Sequence, residues 1–207
     1  MEFLLDYEKK YWDAIKNRLK NEIGTAALMG NLKAESNCIP YRKQGDNNIP
    51  YTASIQYTEE VDKEIISENT FEKDSIGYGV AQWTWWERKK GLYNLHVKTG
   101  LSIGDFDLSI QYMFYELDNS YTSVRDSLIN ATDIQAATNI VLHDYEQPFD
   151  QSESVELLRG NLAKEIYEKY TGSEPDPTEP TEPVDPPDPI KNKKKKMPLY
   201  MYIRRRY

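Results

Sequence analysis

Proline is concentrated in one short run of the chain, and this run limits which residues can fold together. Seven of the 11 prolines fall within residues 173–189, SEPDPTEPTEPVDPPDP, and residues 173–190 hold six acidic residues and no base. Proline lacks the amide hydrogen that helices and sheet ladders need, and like charges repel one another. We therefore expect residues 173–190 to form an extended, disordered linker, and we expect the folded domain to end near Tyr170.

Charge divides the chain into the same three parts. Residues 1–172 carry a net charge of -10, the linker is acidic, and residues 191–207 hold eight Lys and Arg. The last segment is too short to bury a core of its own, so we expect a basic tail. An acidic domain of this kind would be repelled by phosphates, which argues against specific nucleic-acid binding.

Several classes of chemistry find no support in the composition. One cysteine, Cys38, cannot form an intramolecular disulfide, and two histidines without a cysteine cluster give no recognisable metal site, so we predict no metal or cofactor. No apolar run approaches the roughly 20 residues of a membrane span. The N-terminal MEFLLD is too short and acidic for a signal peptide, so we expect none.

Apolar residues recur at helical spacing through most of residues 1–172. Three such stripes are Tyr7, Tyr11, Ile15 and Leu19; Phe106, Ile110, Met113 and Leu117; and Val155, Leu158, Leu162, Ile166 and Tyr170. Capping-box patterns at Thr132–Gln135 and Thr84–Glu87 predict two more helix starts, the second helix ending near Gly100. Residues 40–82 instead mix Thr, Tyr, Ile and Val with turn-forming residues. The fold class is therefore predicted as α+β, helix-dominated, with a small β wing.

A single glutamate ends the helix predicted over the small and apolar residues 23–35. A carboxyl at such a position loses hydration, which favours its protonated form, and a protonated carboxyl can act as a general acid. Glu35 is therefore a candidate catalytic acid for cleavage of a glycosidic bond. The alternatives are that Glu35 faces solvent at a frayed helix end, or that it pairs with Arg42 or Lys43.

A second candidate segment is DSIGYGVAQWTWWERKK, residues 74–90. Glycines on both sides of Tyr78 permit close backbone approach, and Gln82 precedes three tryptophans, Trp83, Trp85 and Trp86. Amide groups beside flat apolar rings are typical of sugar sites. The alternative is that the tryptophans anchor the core of the following helix.

A third candidate segment is VLHDYEQPFDQS, residues 141–152. Tyr145 and Glu146 end a helix before Pro148, which can place a phenol and a carboxylate on the rim of a cleft. Glu146 could equally be a salt-bridge partner at a helix end.

Together AALMGNLKAESN, DSIGYGVAQWTWWERK and YEQPFDQSE resemble, in order and spacing, the phage tail lysozyme family, which is related to goose-type lysozymes and soluble lytic transglycosylases. The resemblance covers about residues 20–170. It implies a lysozyme-like fold and cleavage of the β-1,4 bond between N-acetylmuramic acid and N-acetylglucosamine in peptidoglycan. It also implies that Glu35 is the acid, next to Ser36, that Gly79 to Gln82 line the substrate subsites, and that Tyr145 contacts the sugar or the acid.

The mechanism needs a second group besides the acid. Hydrolysis uses a second carboxylate about 5 Å away for retention, or about 6.5 to 9.5 Å away for inversion. The candidates are Asp46, Asp62, Glu64, Glu72 and Asp74, of which we favour Asp74 as catalytic because it directly precedes the glycine segment. The alternative is a lytic transglycosylase, in which the substrate's own acetamido group attacks and an anhydro sugar results.

The resemblance also implies where the protein works. We expect it on the phage virion tail, or in the host cytoplasm as an endolysin before its release to the bacterial cell wall. The basic tail would bind anionic wall polymers or virion tail proteins, or be a solvated remnant. A module that binds the wall or the virion without catalysis is the competing function.

Overall fold

The computed structural model describes residues 7–173, which fold into nine α-helices and one π-helix. The α-helices are α1 (Tyr7–Leu19), α2 (Glu22–Ser36), α3 (Thr52–Asp62), α4 (Glu68–Lys73), α5 (Trp86–Thr99), α6 (Phe106–Asn119), α7 (Thr122–Ile129), α8 (Ile134–Ile140) and α9 (Glu153–Thr171). The π-helix, Val141–Glu146, follows α8 directly. The tail and the linker beyond Ser173 lie outside the described residues.

Helices with strong local signals are confirmed. The stripes of α1 and α6 are buried through Tyr11, Ile15, Met113 and Leu117, among others. Helix α5 ends as expected at Gly100, which adopts the left-handed conformation (φ 70°) and donates its amide to the carbonyl of His96. The start of α8 is displaced by one residue, because Asp133 rather than Thr132 caps it and accepts a 2.6 Å hydrogen bond from the amide of Ala136.

The predicted β wing is wrong. Residues 40–82 contain α3, α4 and turns, and the only bridges among these described residues are the isolated pairs Lys43–Tyr78 and Tyr78–Trp83. The burial pattern explains the difference. Tyr57 and Val61 are one helical turn apart and both enter the core, so the helical period prevails over the β-branched composition.

Helix α9 packs on α2 through small residues. A Cβ added at Gly30 would lie 2.7 Å from the Cβ of Ala163, so only glycine permits this approach. The close contact turns α9 so that Arg159, Gly160 and Ala163 face inward. Leu158, which the apolar stripe predicted as buried, is 57% exposed.

Within residues 7–173, no helix is both long enough and apolar enough to span a membrane.

Candidate active site

Helix α2 is the central buried helix of the fold, and Glu35 lies in its last turn. Its residues from Gly24 to Leu32 are buried, and Asn37 terminates it in the left-handed conformation. The side chain of Glu35 is 17% exposed, so its carboxyl reaches the surface from a largely desolvated position. Glu35 pairs with Arg159 of α9 rather than with Arg42 or Lys43, the alternatives drawn from the sequence.

Arg159 is held firmly beneath Glu35. Its side chain is 7% exposed, one terminal nitrogen donates to Glu35, and the other donates to Oδ1 of Asn31 at 3.0 Å. Asn31 in turn donates to the carbonyls of Ala27 and Thr138 at 3.0 and 3.2 Å. Because each partner is itself fixed, the guanidinium presents Glu35 in one orientation.

Glu146 carries a second carboxyl, which feels the charge of Glu35. It ends the π-helix, a type of helix that is rare and often found at functional sites. Its Oε1 is buried and finds no hydrogen-bond partner among the described residues. Burial, followed by the charge of Glu35, raises the pKa of Glu146 well above its usual range, although Arg88 and Arg159 oppose this shift.

A buried network anchors the segment that carries Glu146. The carboxylate of Glu116 accepts hydrogen bonds from Nε1 of Trp83 at 2.8 Å and from the hydroxyl of Tyr145 at 2.9 Å. Arg88 donates to the same carboxylate through Nε at 2.7 Å and Nη2 at 2.8 Å. One carboxylate on α6 thus binds Trp83, Arg88 and Tyr145. Because Tyr145 directly precedes Glu146, these hydrogen bonds also fix the backbone next to Glu146.

Three side chains that the sequence analysis gave as candidates for substrate binding are in the core. Tyr78, Trp83 and Tyr145 are 0%, 1% and 1% exposed. Tyr78 hydrogen-bonds to Thr58, and the other two bind Glu116. Rings buried to this extent present no face to a sugar. Trp83 therefore has the position expected if the tryptophans anchor the core, which was the alternative interpretation. Ser36 is also buried and donates to the carbonyl of Leu32 at 3.0 Å.

Gly79 and Gln82 form a tight turn joined to residue 42. Gly79 has a φ of 80°, and a Cβ there would lie 2.7 Å from the ring of Trp83, so the turn requires glycine. The amide of Gly79 donates to the carbonyl of Arg42 at 2.8 Å, and the side-chain amide of Gln82 donates to the same carbonyl at 3.0 Å. Gln82 is only partly buried, so it keeps some surface for a ligand.

Asp74 belongs to a different cluster from Glu35. Its carboxylate accepts hydrogen bonds from Lys89, from the hydroxyl of Tyr57 and from the amide of Ile76. Lys89 is fully buried, and burial lowers its pKa even though Asp74 opposes this shift. A carboxylate with three donors beside a buried ammonium group has the contacts of a structural ion pair.

Two of the other acidic candidates are also engaged in structural hydrogen bonds. Asp46 accepts from the amide and hydroxyl of Ser54, both at 2.8 Å. Asp62 accepts from the amide of Ile103 at 2.8 Å and from the hydroxyl of Ser102 at 2.5 Å. Glu72 is buried with its Oε1 unpartnered among the described residues, and Glu64 has a left-handed backbone (φ 57°) just beyond α3.

A separate groove of about 770 Å³ is lined by residues of α1 and α3, by Tyr41 and by residues between Ser102 and Asp107, including Tyr7, Lys10 and Phe106. None of Glu35, Gln82, Tyr145 or Glu146 lines it. Within residues 7–173, no group of three or more His, Cys, Asp or Glu side chains is placed to hold a metal ion.

Sequence reasoning missed Arg159 and the ion pair of Arg88 with Glu116. Two signals were present. Glu116 lies three residues after Met113, on the apolar face of α6, and Arg159 lies directly before Gly160. A charged residue on an otherwise apolar or small-residue face is rarely buried without a partner. The identity of that partner depends on the tertiary fold.

The comparisons with known proteins agree with the resemblance seen in the sequence. A family model described as phage tail lysozyme matches residues 6–170. Neither the curated proteins nor the solved structures contain a match.

Proposed function

The chain belongs to the phage tail lysozyme family, a membership that implies lysozyme-like action on peptidoglycan, and from this premise we propose that it is a muramidase with Glu35 as general acid. The bond cleaved would be the β-1,4 linkage between N-acetylmuramic acid and N-acetylglucosamine. One observation carries the proposal: Glu35 ends a buried helix with 17% of its side chain exposed, so it can reach a substrate from a desolvated position.

In the proposed reaction the Glu35 carboxyl gives its proton to the glycosidic oxygen as the bond to the anomeric carbon breaks. The departing sugar keeps the bonding electron pair on that oxygen, and the anomeric carbon develops oxocarbenium character. Arg159 keeps the carboxyl in one orientation through its fixed contact with Asn31. Gln82, partly exposed and fixed by residue 42, is the proposed contact for the sugar next to the bond.

A second group must complete the reaction after the Glu35 carboxyl has given its proton. Asp74 was the residue favoured from the sequence, and its catalytic role stays a prediction. The three hydrogen-bond donors around its carboxylate support a structural role instead. Asp46 and Asp62 are similarly engaged. The engagement of these three carboxylates in structural contacts favours a second candidate, a lytic transglycosylase that gives an anhydro product on the same bond.

Digestion of purified Gram-positive peptidoglycan tests the proposal. We expect the wild type to release muropeptides and Glu35→Gln, a near-isosteric change, to reduce the rate by about 10² to 10⁴. Glu165→Gln, an exposed residue on α9, is the matched control and should retain the wild-type rate. Mass spectrometry separates the two mechanisms, since an anhydro product is lighter by one water than a reducing-end product.

Equal activity of the wild type and Glu35→Gln would exclude Glu35 as the acid. No release by the wild type, together with binding to intact walls, would favour a wall-binding or virion structural module.

We also propose that the protein acts at the bacterial wall, from the virion tail at infection or as an endolysin after synthesis in the host. Mass spectrometry of purified virions distinguishes these places of action, since only a tail component is present in them. The basic tail, residues 191–207, is proposed to hold anionic wall polymers or virion proteins.

A further inference from the structure

We propose that Arg42 is a specificity residue of the candidate active site and binds a carboxylate of the substrate. In peptidoglycan such a carboxylate is supplied by the stem peptide, or by the lactyl group of an N-acetylmuramic acid that carries no peptide. This inference rests on the proposed function, because it assigns a further group of that substrate to the same site. Arg42 then acts on substrate binding and not on the proton transfer from Glu35.

The position of Arg42 links the end of α2 to the turn that carries Gln82. Its backbone carbonyl accepts the side-chain amide of Gln82 at 3.0 Å, and its guanidinium carbon lies 4.1 Å from the ring centroid of Tyr51. The hydroxyl of Tyr51 accepts a 3.3 Å hydrogen bond from the side-chain amide of Asn37. Asn37 is the residue that ends α2, two residues after Glu35. Direct contacts therefore join Arg42 to both elements of the site.

The guanidinium of Arg42 has no counter-ion of its own. It forms no salt bridge with any carboxylate of residues 7–173, although Asp46 feels its charge. The oxygens of Asp46 accept hydrogen bonds from Ser54 at 2.8 Å and from the amide of Asn48 at 3.4 Å. Since this carboxylate is engaged elsewhere, Arg42 is a cation that can bind an external anion.

The hydrogen-bonding capacity of Arg42 is also incompletely used. Its Nη2 donates to Oδ1 of Asn47, an exposed residue, at 3.2 Å. Its Nη1 is buried and has no acceptor among the described residues. A buried donor without an acceptor is destabilising and calls for a partner. A carboxylate that displaces Asn47 would meet Nη2 and, after a small turn of the guanidinium, Nη1. This is the two-bond contact that arginine makes with carboxylates.

The surroundings of Arg42 favour recognition by direct contact. The ring of Tyr51 is buried and packs against the guanidinium, so the side chain loses little freedom when a ligand binds. Residues 1–172 carry a net charge of -10, so the domain as a whole repels anions. A substrate carboxylate is therefore stabilised at the guanidinium itself and not by a general attraction to the domain.

The kinetics of muropeptide release by the full chain test this inference on two forms of one purified peptidoglycan. One form is untreated, and in the other the carboxyl groups are converted to amides with carbodiimide and ammonia. For the wild type we expect amidation to raise KM by about 10- to 100-fold, which is the loss of one charge-assisted contact. The value of kcat should change by less than about twofold, because the contact is made before and during the reaction alike.

Variants of Arg42 assign this effect to the guanidinium. Arg42→Gln should show the same rise of KM on the untreated form and no further rise on the amidated form. Arg42→Lys keeps the charge but lacks the planar pair of donors, so its KM on the untreated form should be intermediate. Lys98→Gln removes a positive charge from an exposed position on α5 and is the matched control, with wild-type behaviour on both forms.

A third form of the substrate separates the two sources of the carboxylate. An amidase removes the stem peptides and leaves the lactyl carboxylate free. An effect of Arg42→Gln that disappears after amidase treatment assigns the carboxylate to the stem peptide. An effect that is present after this treatment assigns the lactyl group as a ligand.

A wild-type KM that amidation leaves unchanged would overturn the inference, and this result does not depend on the folding of any variant. An unchanged KM in Arg42→Gln, or an equal rise of KM on both forms, would also overturn it, since the second result indicates a structural role. These failures differ from failure of the proposed function, in which the wild type releases nothing from any form or Glu35→Gln remains fully active.

Discussion

Replacing Glu116 by Gln should strongly destabilise the fold, because this carboxylate holds together a buried network. Its side chain is 5% exposed and accepts four hydrogen bonds, two from Arg88 and one each from Trp83 and Tyr145. In Gln, an NH₂ group replaces one oxygen. Even in the better orientation, with NH₂ facing Nε of Arg88, one charge-assisted bond is lost and a buried guanidinium loses its counter-ion.

The expected cost follows from that geometry. Breaking a buried pair by removing one partner costs about 3 to 5 kcal/mol. For a domain of this size each kcal/mol corresponds to roughly 2 to 4 °C, so Tm should fall by roughly 6 to 20 °C. The assay is thermal and urea unfolding of the full chain, monitored by circular dichroism.

Two comparisons make this prediction specific. Asp118→Asn, on the same helix, disrupts exposed pairs with Arg18 and Arg125 and should cost less than about 1 kcal/mol. Adding Arg88→Met to Glu116→Gln removes the unpaired cation, so the double variant should be no less stable than Glu116→Gln. A cost below about 1 kcal/mol for Glu116→Gln would refute the reasoning.

Two further predictions concern Asp74 and Glu8. Asp74→Asn removes the counter-ion of the buried Lys89 and should lower the free energy of unfolding, measured in urea, by about 3 kcal/mol. A loss of about 10² or more in the rate of muropeptide release, without loss of stability, would show a catalytic role instead. Burial tends to raise the pKa of Glu8, but the ammonium groups of Lys169 and Lys33 lower it to about 2. Glu8 therefore stabilises the fold above its unfolded pKa of 4.5, and this contribution is lost as the pH falls towards 2. Since the ammonium partners Lys33 and Lys169 are 31% and 56% exposed, solvent screens them and the contribution is about 1 kcal/mol. Glu8→Gln should therefore flatten the decline of Tm between these pH values, and an unchanged decline would contradict this.

Local sequence signals determined much of the helical architecture. The apolar spacing of α1 and α6 and the glycine after α5 act within a few residues of the chain, so they predicted those helices without knowledge of the rest. The helix with Glu35 in its last turn was also predicted from local signals, the small and apolar residues that precede Glu35. The match of a family model over residues 6–170 agrees with the resemblance carried by the three sequence segments.

Other features were decided only by contacts between distant residues. The orientation of α9 depends on the close approach of Gly30 and Ala163, and so the sequence stripe predicted Leu158, rather than Arg159, to face inward. The wing segment contains β-branched residues, yet burial of Tyr57 and Val61 selected helix.

Protonation in the candidate site is also a tertiary property. The sequence shows that Glu35, Glu146 and Arg159 are ionisable. However, Glu146 and Arg159 each lie more than 100 residues after Glu35 in the chain. Desolvation and charge coupling act over a few ångströms in space and are independent of distance along the chain. The sequence by itself therefore determined many of the helices, though not α3 and α4, and the carboxylate in the last turn of α2, whereas the tertiary structure decided which charges surround that carboxylate.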